Sequence, residues 1–507
     1  MAARKTPLDH GLWLTIIACL LYFAGRAPFA GQWDSFDYLK QIATHRLSDL
    51  GFGRPVFIAY NIALWETMRK VFGLGPHQLE AVAMAGTILL GGIGMWLFLC
   101  LARKLLPARA AQMAALGFLL SPLYAIYSGY VMTEVPMLAA LLAAAVLLWS
   151  SDAGRLGGKD LAGGAFFGIA VGIREQAATL AGAFLWILLV RRGTLSSRRR
   201  SILRFSAAAL ATALAPALAI YFHDPASFAR RIENWLRILP TGETHLWKNI
   251  QASLLYTFLL CPAAWSAALG AAVRRLNVWR RRRAEENSRG GDPACVPEQA
   301  GSRAATQSHA WRLETSSAKI FRGIALSLAL PLAVLWRDAD VQLHPRYLLV
   351  VLPASMILCA SLYHRWAPSP RAFAVWTALH LLAFGATWVV VQPFRQLQRE
   401  KKEFARIVRE RVPGEALLLA GSYSPVFDYY RALGERPQWT ILWSGWGWER
   451  NKEEAAILDA WKQGRPVYLC DGPAAWLYFE DQRLDLHFIL LPKRKELVAP
   501  GLLRVYP

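Results

Sequence analysis

This chain of 507 residues has few acidic side chains and little charge of either sign. Only 18% of its residues are charged, and 35 acidic residues stand against 57 basic ones. Soluble domains carry roughly one quarter charged residues. With 55% hydrophobic residues and a mean hydropathy of +0.26, the composition indicates a polytopic helical membrane protein.

Cysteine is also scarce, and its spacing excludes the usual cysteine-based scaffolds. The six cysteines are Cys19, Cys100, Cys261, Cys295, Cys359 and Cys470. Their wide separation fits neither a disulfide framework nor a metal-ligand motif. The chain also lacks GxGxxG and GxxxxGK[ST], so nucleotide binding is not supported. No pattern therefore demands a cofactor.

The dominant feature of the sequence is a series of long apolar runs. Several of them approach the ~20 residues that a transmembrane helix needs, and about eleven spans are predicted, of which the fifth and sixth are short. The predicted spans are approximately 12–30, 80–101, 111–126, 132–150, 160–173, 176–190, 202–222, 250–273, 319–336, 346–363 and 372–391. The first run is too long for a signal-peptide core and is interpreted as an uncleaved helix.

The basic residues follow the positive-inside rule. A net charge of +22 would also suit a nucleic-acid binder. The Lys and Arg residues, however, lie mainly in short loops between apolar runs, on one side of the predicted topology. We therefore expect membrane lipids, and no nucleic acid, as neighbours. The pattern predicts a multi-pass protein of the inner (plasma) membrane with a cytoplasmic N-terminus.

Two domains are expected. Residues 1–391 would form the transmembrane domain, with an outer loop at 31–79 and a disordered inner loop at 284–318. Residues 392–507 would form a small extracytoplasmic α/β domain with a mostly parallel sheet. Its predicted strands are Ala416–Ala420, Trp439–Trp443, Val467–Cys470 and His487–Leu491, with helical stretches such as Glu453–Lys462 between them. Its aromatic run Trp443–Trp448, with Tyr423, Asp428 and Tyr429, suits either sugar stacking or packing.

Asp34 and Asp37 directly follow the first apolar run. An acid that only keeps a loop in water costs little, whereas one that faces a cavity among helices is costly and usually functional. Other charged and aromatic residues fall on the same side of the membrane: Arg54, Glu134, Arg174, Glu175, His344, Arg346 and Tyr347. Each alone fits a helix-end anchor. Together they suit an anionic lipid headgroup beside an acid–base pair.

The order of these segments resembles the GT-C superfamily of glycosyltransferases. The resemblance is greatest to the branch with protein O-mannosyltransferases and the aminoarabinose transferases of lipid A. That branch has an acidic motif after its first span, and Asp34 matches its leading Asp while Ser35 replaces its Glu. Asp37 or Glu134 is then the second carboxylate. Further loose matches, in order within about 10–392, are Gly53–Phe57, Ser121–Pro136, Gly168–Gln176 and His344–Pro353.

The resemblance implies transfer of a sugar from a polyprenyl-phosphate donor to a hydroxyl of a protein, lipid or glycan on the outer face. Asp34 would be the general base. Arg54 would bind the donor phosphate, with Arg174 and Arg346 as further candidates. Glu134 would orient the acceptor, pair with an arginine or help bind a divalent metal ion. The residues expected to contact substrate are Tyr38, His344 and Tyr347.

Three other functions remain open from the sequence. A lipid or polysaccharide transporter or flippase would predict inverted repeats, and no convincing repeat is present. A non-enzymatic membrane scaffold would tolerate the loss of Asp34 and Arg54. A surface-polysaccharide polymerase or ligase falls within the same glycosyl-transfer class, and the sequence barely separates it.

Overall fold

The computed structural model describes most of the chain. The described residues are 7–30, 33–46, 54–149, 157–190, 194–223, 246–262, 322–335, 345–366, 370–434, 438–442, 450–473 and 493–507, with isolated positions between 225 and 284. The inner loop from 285 on, His344, the aromatic run after Leu442 and the predicted strand at 487–491 lie outside the described residues.

Helices dominate the described residues, because apolar segments in lipid must satisfy their backbone hydrogen bonds internally. In chain order they are α1 (Pro7–Ala24), α2 (Trp33–Ala43), α3 (Pro55–Phe72), α4 (Leu79–Leu105), α5 (Ala108–Leu119), α6 (Pro122–Ser128), α7 (Glu134–Trp149), α8 (Gly157–Ile173), α9 (Ala181–Val190), α10 (Leu195–His223), α11 (Leu246–Leu260), α12 (Arg322–Leu335), α13 (Leu352–Trp366) and α14 (Pro370–Arg411). Short 3₁₀ turns occupy Pro76–Gln78, Glu175–Leu180 and Pro345–Val351.

The lengths of the described helices test part of the prediction of eleven membrane spans. Four described stretches are long and apolar enough to cross a bilayer: Pro76–Leu105, Leu195–Phe222, Pro345–Arg365 and Pro370–Arg411. A fifth is possible if α5 and α6, bent by 52°, form one broken span. Shorter apolar helices coincide with several other predicted spans. The mainly helical membrane fold is confirmed, and the total of eleven stays a prediction.

The chain forms two compact units. Unit 1 comprises Met1–Leu20, Leu90–Ala125 and Thr133–Thr387. Unit 2 comprises Leu21–Leu89, Ile126–Met132 and Trp388–Pro507, so it joins the predicted outer loop to the C-terminal region. The predicted domain boundary near 391 lies inside α14. The outer loop itself contains the helices α2 and α3, as its amphipathic pattern indicates.

In unit 1, α8 packs closely against α10 through small residues. Gly164 and Gly168, four residues apart, lie on the contacting face of α8. A Cβ atom on Gly164 would collide with the backbone of Phe205, and one on Gly168 would collide with Thr212 and the backbone of Ala209. Small residues at this spacing let two membrane helices approach until their backbones touch.

Gly168→Ala should destabilise the protein by about 1–3 kcal/mol, the usual cost of overpacking a close contact. Thermal unfolding in detergent would measure the loss. Gly385→Ala is the matched control, because Gly385 lies within α14 with open space around it. That change should be neutral or add up to about 1 kcal/mol of helix propensity. Equal unfolding temperatures for the two variants would contradict the close contact.

The C-terminal part of unit 2 is a small α/β fold. Its elements are β1 (Leu417–Leu419), a 3₁₀ turn (Gly421–Tyr423), α15 (Ser424–Ala432), β2 (Thr440–Leu442), α16 (Arg450–Lys462), β3 (Val467–Cys470), β4 (Lys495–Ala499) and β5 (Leu502–Val505). The strand order is β2-β1-β3-β5-β4. Its core contains Leu417, Leu419, Ile457, Ala460, Val467 and Val505. The first three predicted strands and the helix between them are confirmed.

The expectation of a mostly parallel sheet is wrong in the second half of this sheet. Strand β1 pairs in parallel with β2 and β3, but β5 pairs antiparallel with both β3 and β4. Strands β4 and β5 are joined by a tight turn at Gly501, whose φ of 76° favours glycine. A hairpin of this kind needs no crossover helix, so the pattern of alternating strands and helices does not reveal it.

The carboxyl ends of β1 and β3 meet where the chain changes direction across the sheet. Ligands of open α/β sheets usually bind in that crevice. Here the ring of Phe404, from α14, is pressed against Gly472, where a Cβ atom would collide with it. The Tyr423 ring packs against that of Phe404 in a tilted arrangement, with the centroids 4.9 Å apart, and its hydroxyl donates a hydrogen bond to the Pro473 carbonyl at 2.7 Å. Protein side chains therefore fill this crevice.

Candidate functional site

The acidic motif lies on a short helix in unit 2. Asp34 is in the first turn of α2, where the positive end of the helix stabilises a carboxylate. Asp37 and Tyr38 lie one turn further along the same face. Asp34 and Asp37 are half-buried, and Tyr38 is buried. Asp37 accepts a hydrogen bond from Gln41, one turn further on. The helix thus presents two carboxylates and a phenol on one side.

Arg54 lies at the start of α3 in a strained backbone conformation. Its φ of 116° is in the left-handed region, which non-glycine residues rarely adopt. Its guanidinium stands over the ring of Tyr38, 5.3 Å from the ring centroid. Tyr38 also packs edge-on against Phe57 at 5.3 Å. Strain of this kind persists where the surroundings hold a residue in place, and it is frequent at functional sites.

A second cluster of charges is buried in unit 1. Glu134 is the first residue of α7, Arg174 lies between α8 and the next 3₁₀ turn, and Arg346 lies in the turn before α13. Their exposed fractions are 0%, 2% and 4%. The three charged residues lie where helices begin or break, and these three positions come together in the fold.

One carboxylate oxygen serves both arginines. Arg174 Nη1 donates to Glu134 Oε1 at 2.7 Å and to Thr133 Oγ1 at 2.8 Å. Arg346 Nε lies 3.1 Å from the same Oε1. Within the part of the chain that the structure describes, the other oxygen, Oε2, is buried and has no hydrogen-bond partner. The cluster carries two positive charges and one negative charge.

Tyr347 provides the aromatic wall of this cluster. Its ring centroid is 4.8 Å from the guanidinium carbon of Arg174 and 5.4 Å from that of Arg346. Gln176 accepts a hydrogen bond from Arg174 Nε at 3.0 Å. Cation–π contact and these hydrogen bonds fix the guanidinium plane of Arg174, and cation–π contact with the Glu134 ion pair orients that of Arg346.

An apolar cavity of about 110 Å³ lies in the same unit. Its lining includes Leu138, Leu180 and Val350. Leu138 is one turn beyond Glu134, Leu180 ends the 3₁₀ turn after Arg174, and Val350 is four residues beyond Arg346. Trp186 and Ile324 also line it. The lining residues thus follow the charged residues closely along the chain. An apolar cavity suits the prenyl chain of a lipid phosphate, and the buried cations suit its phosphate group.

The predicted site residues therefore fall into two groups. Unit 2 brings together Asp34, Asp37, Tyr38 and Arg54, and unit 1 brings together Glu134, Arg174, Arg346 and Tyr347. Of the three sequence interpretations of Glu134, pairing with an arginine is the one that the geometry shows. Among the described residues, no three His, Cys, Asp or Glu side chains are grouped to hold a metal ion.

Several residues of both groups do not stand out in the sequence. Thr133 and Gln176 are neighbours of predicted residues and could have been proposed from that proximity. Lys40 of α2 pairs with Asp428 of α15 at 3.2 Å, across 388 positions of chain. No local pattern indicates such a pair. Next to the acidic motif, Ser35 donates to the sulfur of Met132 at 3.4 Å.

Two phenols in unit 2 are held in their neutral form. Burial raises the pKa of Tyr130, although the charge of Arg395 opposes the shift. Burial likewise raises the pKa of Tyr423, which already donates its hydrogen bond within the C-terminal fold. Neither side chain therefore acts as a base at neutral pH.

One family matches part of the chain. Residues 54–221, about a third of the 507, match the family described as dolichyl-phosphate-mannose-protein mannosyltransferase. The matched segment contains Arg54, Glu134 and Arg174, and it ends before Arg346 and the C-terminal sheet. No curated protein matches the chain by sequence.

Solved structures share the fold over most of the chain. ArnT from Cupriavidus metallidurans bound to undecaprenyl phosphate is similar with a TM-score of 0.61 at 13% identity, over 99% of this chain and 98% of that one. Archaeoglobus fulgidus AglB in complex with an inhibitory peptide and a dolichol-phosphate gives 0.52 at 12%, over 91% and 69%. Mycobacterial arabinofuranosyltransferase AftD gives 0.53 at 14%, over 100% of this chain and 42% of that one.

Proposed function

We propose that this chain is a membrane glycosyltransferase of the GT-C superfamily that uses a polyprenyl-phosphate sugar; the shared fold and the family match over residues 54–221 support this. The acceptor is a hydroxyl of a protein, lipid or glycan. The buried cluster of Glu134 with Arg174 and Arg346 is the observation that carries the proposal. Among the described residues, this cluster has two guanidinium groups to one carboxylate, and the same unit contains an apolar cavity.

The donor chemistry explains the cationic cluster. As the bond to the anomeric carbon breaks, negative charge grows on the leaving lipid phosphate. Fixed cations in a water-poor environment stabilise that charge far better than water does. Arg174 is held by Glu134, Thr133, Gln176 and Tyr347, and Arg346 by Glu134 and Tyr347, so both need little reorganisation. In this proposal the cavity accepts the first part of the prenyl chain, whose apolar surface gains by leaving water.

Glu134 has a second role in the proposal. Its Oε1 holds the arginines, while its buried Oε2 retains acceptor capacity among the described residues. A substrate hydroxyl that donated to Oε2 would satisfy it, because buried polar atoms are nearly always hydrogen-bonded. Glu134 is thus the orienting carboxylate, and Asp37 remains the alternative for the second acid.

In unit 2, Asp34 serves as the general base. The acceptor hydroxyl must lose its proton as it attacks the anomeric carbon, and a carboxylate at hydrogen-bond distance takes it. The half-buried Asp34 side chain can be reached by a substrate, and the start of α2 stabilises its charge. Tyr38, and His344 outside the described residues, are proposed to contact the sugar.

The orientation follows the positive-inside rule. We place the N-terminus in the cytoplasm, and both the acidic motif and the C-terminal sheet on the outer face of an inner membrane.

The rival functions differ in their need for a general base. A transporter would retain its activity without one, whereas a polymerase or ligase would not. Mass spectrometry of envelope glycans and glycoproteins, with and without the gene, identifies the sugar and acceptor. An unchanged set of glycans would contradict the proposal.

Arg54→Gly isolates the proposed phosphate contact of Arg54. Charged hydrogen bonds contribute about 1.5–3 kcal/mol, so affinity for a radiolabelled polyprenyl-phosphate sugar should fall about tenfold to a hundredfold. Glycine adopts the φ of 116° without strain, so the backbone at the start of α3 should keep its conformation although the contact with Tyr38 is lost. Arg54→Lys is the matched control, which keeps the charge. Normal donor binding by the glycine variant would remove Arg54 from the site.

A further inference from the structure

We propose that α15 of the C-terminal fold positions the acid-bearing helix α2, through the ion pair of Lys40 and Asp428. This inference rests on the proposed function, in which Asp34 on α2 is the general base. It gives the C-terminal fold, which lies outside the matched family segment, a part in the reaction. Lys40 and Asp428 are then positioning residues and do not touch the substrate.

Helix α2 depends on its neighbours for its orientation. It has only 11 residues, and helices of that length are marginal on their own in water. Asp34, Asp37, Tyr38 and Gln41 follow one another at three- and four-residue steps and therefore share one face. A rotation of α2 about its axis would carry all of them away together.

The opposite face of α2 is the one that contacts α15. Phe36 and Lys40, four residues apart, lie on that face. Phe36 is buried between the rings of Phe29, at 4.5 Å, and Tyr429, at 6.2 Å. Tyr429 is adjacent to Asp428 in the chain. The ring contact and the ion pair thus join the same two surfaces and fix the rotation of α2.

Asp428 is itself held in place by its own fold. Its Oδ2 lies 3.2 Å from Lys40 Nζ, and its Oδ1 accepts a hydrogen bond from Arg431 Nη2 at 2.7 Å. Arg431 also donates to the Trp439 carbonyl at 3.4 Å. Both carboxylate oxygens are therefore used, and Lys40 meets a preoriented partner. The pair is partly buried, with side-chain exposures of 36% and 25%.

The segment before α2 is tied down as well. Lys402 of α14 donates to the Pro28 carbonyl at 3.3 Å and stands over the ring of Phe29. The Ala27 amide donates to the Gly129 carbonyl at 3.1 Å. With its start anchored in this way, rotation of α2 about its axis is the motion that would displace Asp34, and the buried rings of Phe36 and Tyr38 already oppose it. The Lys40–Asp428 pair also opposes that rotation.

The test compares Lys40→Met, Asp428→Asn, the double variant and Lys40→Arg in a sugar-transfer assay. Misplacement of a catalytic group by a fraction of an ångström is costly, so kcat should fall about tenfold in both single variants. The KM for the donor should change less than about twofold, because the donor phosphate contacts are untouched. The double variant should lose no more than either single variant, and Lys40→Arg should keep most activity.

Amide hydrogen exchange provides a second measurement that does not depend on turnover. In Lys40→Met, exchange should become faster within α2 and remain unchanged in the sheet of the C-terminal fold. Arg406→Met is the control, because the ion pairs that Arg406 forms with described residues are exposed and lie within α14. That variant should match the wild type in both measurements.

The outcomes separate this inference from the proposed function. If Asp34→Asn is inactive while Lys40→Met has wild-type kcat and exchange, the positioning role is wrong and the glycosyltransferase stands. Losses that multiply in the double variant would also overturn the positioning role, since independent sites add in free energy. If Asp34→Asn transfers sugar at the wild-type rate, the proposed base is wrong and this inference fails with it.

Discussion

Asp34→Asn should reduce sugar transfer by at least about 10²–10⁴-fold, the usual contribution of a general base. The amide has nearly the shape of the carboxylate but cannot take the proton of the acceptor hydroxyl. Because Asp34 lies half-buried in the first turn of α2, the change should leave the helix intact. The loss should therefore appear in kcat, measured with purified protein and a radiolabelled polyprenyl-phosphate sugar.

Two comparisons make this result specific. Asp459→Asn introduces the same chemical change at an exposed carboxylate of α16 that accepts a hydrogen bond from Gln463 of the same helical end, and it should retain full activity. Donor binding and the unfolding temperature of Asp34→Asn should match those of the wild type. Transfer by Asp34→Asn at close to the wild-type rate would assign the base to another residue, with Asp37 as the first candidate.

Glu134→Ala should destabilise the protein by about 3–5 kcal/mol, because it leaves two buried guanidinium groups without their shared counter-charge. The side chains of Arg174 and Arg346 are 2% and 4% exposed, so water cannot replace the carboxylate. Thermal unfolding in detergent and the yield of monodisperse protein would record the loss.

The matched control is Glu410→Ala on α14. Glu410 also pairs with an arginine, Arg406, but both side chains are about half exposed. Exposed pairs contribute no more than about 1 kcal/mol, so this change should have little effect. Adding Arg174→Met to Glu134→Ala should recover part of the lost stability, because it removes one of the two repelling charges. An unfolding temperature for Glu134→Ala equal to that of the wild type would contradict the buried cluster.

The sequence predicts the helical membrane fold because hydropathy alone marks apolar helices. It also indicates Glu134, Arg174 and Arg346 as site residues, because charges are rare at membrane depth and stand out. Their shared oxygen could not be foreseen, since it depends on how three helix breaks come together. The left-handed backbone of Arg54 was equally hidden, because neither composition nor spacing encodes a positive φ at a residue other than glycine.

Long-range contacts account for most of what the sequence left open. The ion pair of Lys40 with Asp428 joins residues in different predicted domains, and local patterns carry no information about such distances. The same is true of β5, whose short stretch Leu502–Val505 is a strand because β3 and β4 lie on either side of it. Strand formation of this kind is decided by tertiary neighbours more than by intrinsic preference.

In the C-terminal sheet, protein side chains occupy the place where an open α/β sheet usually binds its ligand. Phe404 and Tyr423 lie at the carboxyl ends of β1 and β3, where open α/β sheets usually bind their ligands. Annotation by architecture alone would assign a small-molecule pocket to this half of the molecule. In the positioning role proposed above, the sheet is instead a rigid support for α15, the helix whose Asp428 contacts α2.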